Sequence, residues 1–341
     1  MSRWISALSL AIALPACAGA IAPQASVARP PAEQHIFYEA AHRLIRLADG
    51  SDLLFYFPNP PEGGAPLIDA AMVSSRGRDE DRSFRLSTWI PKEVLEGTFG
   101  QLTSAAMSED HQWLAFVGGW AGAADHRGHN GVFLLKEHKS GSWRVQSWFD
   151  VPGVDLGEIA FGPGDTLLLT AQKGAADGGS APMLTLFSFG GQNLGWFVDS
   201  PNHGDWNVRP GSRDARIASL GKGNVAIYDP ETSLIRYAHL ELEGLSVSVK
   251  QTRTVPIPFP VDRVNLVGFE ARPDGAVALA RTIVESGQAR TIVTKIDHQG
   301  RIVEEWRAPK VWKYGYAEDG SFHGYSSAFP QPMEISTVSV K

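Results

Sequence analysis

The sequence predicts an all-β domain made of repeated antiparallel meanders, and three observations predict it. The first is the run 264–307, VNLVGFEARPDGAVALARTIVESGQARTIVTKIDHQGRIVEEWR. Apolar stretches at Leu266–Ala271, Ala276–Val284 and Thr291–Ile296, and a fourth closing at Trp306, alternate with gaps rich in Gly, Pro, Asp and Ser. The stretches are short, rich in Val, Ile and Ala, and lack helical spacing, which is the pattern of four strands joined by tight turns. The second observation is recurrence. A polar turn ahead of an apolar strand appears at Asp49-Gly50, Glu109-Asp110, Pro163-Gly164-Asp165, Ser212-Arg213-Asp214, Pro273-Asp274-Gly275 and Asp319-Gly320, at a mean spacing of about 54 residues, within the range of large repeat units. The third is composition: 341 residues, 43% hydrophobic and 20% charged, with 35 Gly, 22 Pro and one Cys. Such a chain can bury a large core and is not a disulfide scaffold.

In chain order, residues 1–20 read as a leader. Arg3 supplies a basic end, and Trp4–Leu14 is an apolar core too short to anchor across a bilayer. Two processing routes stay open. Leu14-Pro15-Ala16-Cys17 resembles a bacterial lipobox with Cys17 as the lipidated residue, although Pro15 departs from that pattern; Ala18-Gly19-Ala20 is a small-x-small cleavage site. Both routes export the protein of a bacterium, to the periplasm or to the outer membrane as a lipoprotein. Residues 21–33, rich in Ala and Pro, form a tether, and 34–341 form one domain.

Within that domain, the strands that follow the recurring turns are Leu53–Phe57, Trp113–Val117, Thr166–Ala171, Ala215–Leu220, Ala276–Val284 and Ser321–Ser326. They are apolar on both faces, as strands covered on both sides are. Third and fourth strands follow at Val132–Lys136 and Arg144–Phe149, at Met183–Phe189 and Leu194–Val198, and at Asn224–Tyr228 and Ile235–Leu240. Six such units make a six-bladed β-propeller. The last unit is short of a strand, and His35–Ala40 is placed to complete it, so that N- and C-terminal strands close the ring. Tyr38–Leu47 also fits a short helix with Ala41, Leu44 and Ile45 on one face; strand is preferred here.

The phrases Phe269-Glu-Ala-Arg-Pro-Asp-Gly, Ile296-Asp-His-Gln-Gly-Arg-Ile and Tyr228-Asp-Pro-Glu-Thr resemble the blades of six-bladed TolB-like and NHL-type propellers. The resemblance spans nearly the whole mature chain and rests on turn chemistry. It implies a binding face, made by the second-to-third-strand loops and the connections between blades. On this chain that face carries Pro58–Leu67, Ala121–Asn130, Lys173–Pro182, Glu285–Ala289, Val151–Glu158, Ser200–Trp206, Pro256–Asn265 and Pro309–Trp312.

Three groups of residues on that face are candidates for chemistry. Asp125, His126 and His129 carry two imidazoles and a carboxylate, a partial ligand set for zinc or another divalent ion; the alternative is a polar solvent loop. His203, Asp205 and Trp206 offer polar groups and a stacking surface, against the alternative of a core Trp and a turn-forming Asp. Asp155 and Glu158 could bind calcium or exchange protons, against a solvated connection. Arg263 and Asn265 complete the ligand-binding set at the channel mouth. Trp120 and Trp312 adjoin the mouth and are expected to be exposed. The charge run Arg78–Arg82 is expected at a solvated tip on the opposite face.

Other chemistries are absent from the sequence. There is no G-x-S-x-G, no H-E-x-x-H and no phosphate loop. Ser108-Glu-Asp-His-Gln-Trp113 has the Ser, Asp and Trp of a sialidase-like Asp-box but lacks its Gly. Net charge is −6 with no basic stripe, which argues against nucleic acid. The expectation is a monomeric binding module for an envelope protein or a small ligand, touching the membrane only through a lipid anchor. The alternatives are a metal-dependent hydrolase of lactonase type using the same mouth residues, and a purely structural envelope component.

Overall fold

The computed structural model describes residues 43–46, 52–56, 72–76, 81–85, 90–91, 94, 98–122, 127–138, 142–174, 180–197, 215–229, 233–257, 259, 266–272, 274–309, 313–316, 322–326 and 334–338. The chain divides after Gln34, and every described residue belongs to the second unit, His35–Lys341. Its regular structure is almost entirely strand, in six antiparallel sheets. The first sheet holds β1 (Arg43–Arg46), β2 (Asp52–Tyr56), β3 (Met72–Arg76) and β4 (Asp81–Arg85). The second holds β5 (Thr98–Met107), β6 (Trp113–Ala121), β7 (Gly128–His138) and β8 (Ser142–Asp150). The third holds β9 (Val154–Phe161), β10 (Thr166–Gly174), β11 (Ser180–Ser188) and β12 (Asn193–Phe197). The fourth holds β13 (Arg216–Gly221), β14 (Asn224–Asp229), β15 (Leu234–Glu243) and β16 (Ser246–Pro256). The fifth holds β17 (Leu266–Ala271), β18 (Val277–Glu285), β19 (Gln288–Ile296) and β20 (Ile302–Pro309). The sixth holds β21 (Lys313–Tyr316), β22 (Phe322–Ser326) and β23 (Glu334–Val338).

Each sheet is a meander in chain order. The first strands of successive sheets touch: β5 lies against β9, β9 against β13, and β13 against β17. The core sits between sheets. One cluster joins Val117, Val132 and Leu134 of the second sheet to Leu156, Leu167 and Leu169 of the third. Another joins Leu168 and Leu186 to Ile217, Ile227 and Leu240 of the fourth. A third joins Tyr228 and Ile235 to Phe269, Val277, Leu279 and Ile296 of the fifth. The second to fifth sheets pack face to face in sequence, the third and fourth each shared between two neighbours, which makes the arrangement propeller-like. Second strands such as β6 are therefore apolar without alternation, with 114–118 all buried. Outer strands face solvent: in β20 only Trp306 is buried among the residues 302–307.

The fourth sheet differs from expectation. Ala215–Leu220 is not a second strand; it is β13, the first strand of its sheet, and Asn224–Tyr228 and Ile235–Leu240 are the second and third. The true first turn is Lys222-Gly223, with φ of 50° and 77° and with Gly221 and Asn224 as register partners. Two left-handed residues in a two-residue loop give the hairpin its twist. The missed strand is β16, a mostly polar outer strand. At the start of the domain, Arg43–Arg46 is strand, paired with β2; His35–Ala40 lies outside the described residues.

Tyr237 shows how sheets are joined at the turn-rich end. Its hydroxyl donates to the Asp297 carbonyl at 3.4 Å. Burial, helped by the Asp297 charge, pushes the phenol up to about 12. An unfolded tyrosine titrates near 10, so the folded chain holds this proton more tightly. The stabilisation is complete below pH 10 and is lost as pH rises toward 12. Urea midpoints at pH 9 and pH 11 should fall less for Tyr237→Phe than for the wild type; equal slopes would show that Tyr237 takes no part in alkaline unfolding.

Candidate functional site

Glu158 is the best-defined polar group among the expected site residues. Leu156 pairs with Ala171 and Ile159 with Leu169, so Gly157 and Glu158 together face Thr170 alone. This is a β-bulge, which re-aims a side chain while the strand continues. It places Leu156 and Ile159, three residues apart, in one core cluster. It also removes the Glu158 N–H from the ladder, and that group donates instead to Thr170 Oγ1 at 2.7 Å. A matching register shift lies at Ser104 in β5. Ser104 Oγ donates to Glu158 Oε2 at 2.8 Å and accepts from the Ile159 N–H at 3.3 Å. From the other side, Arg216 Nη1 donates to Glu158 Oε1. The first strands of the second, third and fourth sheets are thus tied through a carboxylate only 5% exposed. Both carboxylate oxygens are engaged, Oε2 by Ser104 and Oε1 by Arg216.

Asp155 is half-buried and faces Gln172 in the ladder. His129 stands at the start of β7, where Nδ1 meets Asp150 Oδ2 at 2.8 Å. Its ring stacks on Trp120, with centroids 5.5 Å apart and planes at 10°. Trp120 is not exposed as expected: it is 8% exposed. Gly131 explains this, because a Cβ there would come within 2.7 Å of the Trp120 ring. Trp120 also meets Phe133 edge-on, and Phe133 stacks on Phe116 and on Trp148. Asp125 and His126, proposed partners of His129 in a metal site, lie outside the described residues. So do His203, Asp205, Trp206, Arg263, Asn265, Trp312 and Cys17. Among the described residues, no three His, Cys, Asp or Glu side chains stand together as ligands for one ion.

Sequence reasoning found Glu158 but missed Ser104 and Arg216. One signal was present: counted back from the first turn residue, Ser104, Glu158 and Gly268 each stand four before Ser108, Gly162 and Arg272. Comparing first strands this way aligns Ser104 with Glu158, but in the fourth sheet it falls on Ala218 and does not reach Arg216.

At the opposite end lies an open depression of about 780 Å³, bordered by the first turns of the second, third and fourth sheets. Glu109, Asp165, Lys222 and Glu241 edge it, and Trp113, Phe161 and Phe189 form its floor. Part of its acidity is spent on the turn itself. Asp110 accepts from Ser108 Oγ at 2.6 Å and from the Gln112 N–H at 3.1 Å, and Ser108 Oγ in turn accepts from the Trp113 N–H at 2.9 Å. The Ser108 hydroxyl, followed by the Gln112 N–H, holds the Asp110 carboxyl below the usual range. His111, at φ 56°, stands in the left-handed conformation that glycine adopts most readily.

No protein-family model matches the chain, and no curated protein matches it. Solved structures do resemble it. A Thermus thermophilus protein assigned as an oxidoreductase (glucose dehydrogenase) shares 13% identity over 84% of this chain and 90% of its own, with a TM-score of 0.45. The periplasmic gluconolactonase of Pseudomonas aeruginosa shares 12% over 88% of this chain and 84% of its own, with a TM-score of 0.42. The soluble aldose sugar dehydrogenase of Escherichia coli shares 12% over 73% and 95%, with a TM-score of 0.31. At these identities and scores the likeness is one of architecture and says nothing of substrate.

Proposed function

We propose that the chain is an exported, closed six-bladed propeller that binds an envelope protein or a small ligand through one loop-rich end. Support for the ring comes from the first strands: besides the contacts given above, β17 touches β21, and β1 touches both β21 and β5. The observation that carries the binding reading is an asymmetry of segment length. Every segment of more than five residues between successive strands falls at the second-to-third loops or the sheet-to-sheet connections: 57–71, 86–97, 122–127, 198–215, 257–265 and 327–333. At the other end no segment between successive strands is longer than five residues. Rigid sheets that carry their long segments on one side present a surface there, and binding residues concentrate on such segments. The leader at 1–20 supports export.

The test uses the full chain with a photo-crosslinking residue at exposed Arg290, beside the 286–287 turn at the loop-rich end, and at exposed His138, at the other end. Adducts are expected from position 290 and not from 138; equal yields, or none at either position, would sink the reading. Thermal melts of metal-stripped protein with calcium, zinc and manganese form the second arm. A ligand specific to the folded state raises the melting point saturably. No such rise is expected, and a rise with one ion would favour the lactonase-type hydrolase instead.

A further inference from the structure

The interface between the fourth and fifth sheets holds three buried donors without partners. Tyr228, in β14, is fully buried, yet its hydroxyl makes no hydrogen bond. Arg281 Nη1, in β18, and Thr294 Oγ1, in β19, are likewise unmet. All three border one interface. Tyr228 shares a cluster with Phe269 and Leu279, with its ring 5.8 Å from that of Phe269. Arg281 follows Leu279 by two on the same face of β18, and Thr294 is the register partner of Leu279. Arg281 and Tyr228 lie close enough for each to act on the other's charge. Buried donors left unmet are costly, and native interfaces rarely tolerate several together.

We propose that this interface receives the carboxylate of a small-molecule ligand. The chemistry favours an anion over a neutral guest. One donor is a guanidinium, whose face lies 3.5 Å from the Phe259 ring centroid and whose edge is thus left for hydrogen bonds. Glu305, which pairs with Arg281, is 3.9 Å from Nη2 and a third exposed, so it does not answer Nη1. A carboxylate has two oxygens with about four acceptor positions, enough for a guanidinium edge and two hydroxyls. The site lies toward the loop-rich end. Arg281, 13% exposed, pairs with Leu266, the first residue after the 257–265 connection.

The site rests on the binding reading but is tested apart from it, since crosslinking at position 290 can fail while the anion response holds, or the reverse. The probe is acetate, titrated against chloride at constant ionic strength on the full chain. The wild type should gain about 2 °C in melting temperature, saturably. Tyr228→Phe keeps the ring and removes the unmet hydroxyl; it should be at least as stable as the wild type without acetate, and should need at least tenfold more acetate for half its rise. Thr294→Val should weaken the response in the same direction. Three results would overturn the proposal: no rise in the wild type, an unchanged response in Tyr228→Phe, or a Tyr228→Phe protein less stable without acetate, which would mean that water already satisfies the hydroxyl.

Discussion

Replacing Arg216 by methionine is expected to destabilise the fold by about 3–5 kcal/mol, the range for removing one partner of a buried ion pair. The reason is the asymmetry of exposure. The Glu158 side chain is 7% exposed and the Arg216 side chain 25%. Without the guanidinium, the carboxylate keeps the Ser104 hydroxyl but loses the positive charge of Arg216, in a place where water does not replace it. The converse change, Glu158→Met, leaves a guanidinium that can still reach solvent, and should cost less. The double variant, methionine at both positions, removes both charges and should recover most of the loss, because an apolar pair of similar volume is often neutral with respect to a buried ion pair. Urea unfolding of the four proteins closes the cycle. Arg216→Met losing under about 1 kcal/mol, or a double variant no better than Arg216→Met, would show that the pair does not hold the three sheets together.

The parts of this fold that can be read from sequence are those in which turn and strand chemistry agree. In the fifth sheet, Pro273-Asp274-Gly275 and Asp297-His298-Gln299-Gly300 mark hairpins whose glycines sit at φ 78° and 82°, and the strands between them fall where the apolar runs do. The fourth sheet was misread by one strand because two local signals conflict. Ser212-Arg213-Asp214 has turn composition but precedes a first strand, while the real hairpin is closed by Lys222-Gly223, in which a lysine occupies a left-handed position. The polar strand Ser246–Pro256 carries little hydrophobic signal, since an outer strand needs to bury only one face. The site was harder still. A carboxylate at Glu158 can be noticed, but its partners stand 54 and 58 residues away on neighbouring sheets. Nothing local in the sequence distinguishes an Arg facing solvent from one facing a carboxylate. Trp120 failed for a related reason: its burial depends on a missing Cβ at Gly131, on the adjacent strand.

Gly223→Ala should destabilise the protein by about 3 kcal/mol or more, and Gly275→Ala by only about 1 kcal/mol, although the two glycines have nearly the same backbone conformation. Gly223 has φ 77° and Gly275 φ 78°, so both substitutions incur the left-handed penalty. Their surroundings differ. A Cβ on Gly275 meets nothing within 4 Å, whereas one on Gly223 falls 2.4 Å from the Leu240 carbonyl oxygen and 3.3 Å from Pro163 Cβ. The Leu240 backbone has little room to retreat, because its N–H donates to the Gly223 carbonyl at 2.9 Å. Pro163 belongs to the first turn of the third sheet, so the added methyl also presses on the neighbouring sheet. Relief requires moving the first turn of the fourth sheet, and with it one wall of the depression at that end. The difference between the two variants isolates the contact term from the conformational one. It can be read as a shift in urea midpoint at constant slope. Equal losses would mean that the Lys222-Gly223 turn moves aside freely, and that the close approach of β14 to β15 at this point does not hold the third and fourth sheets in place.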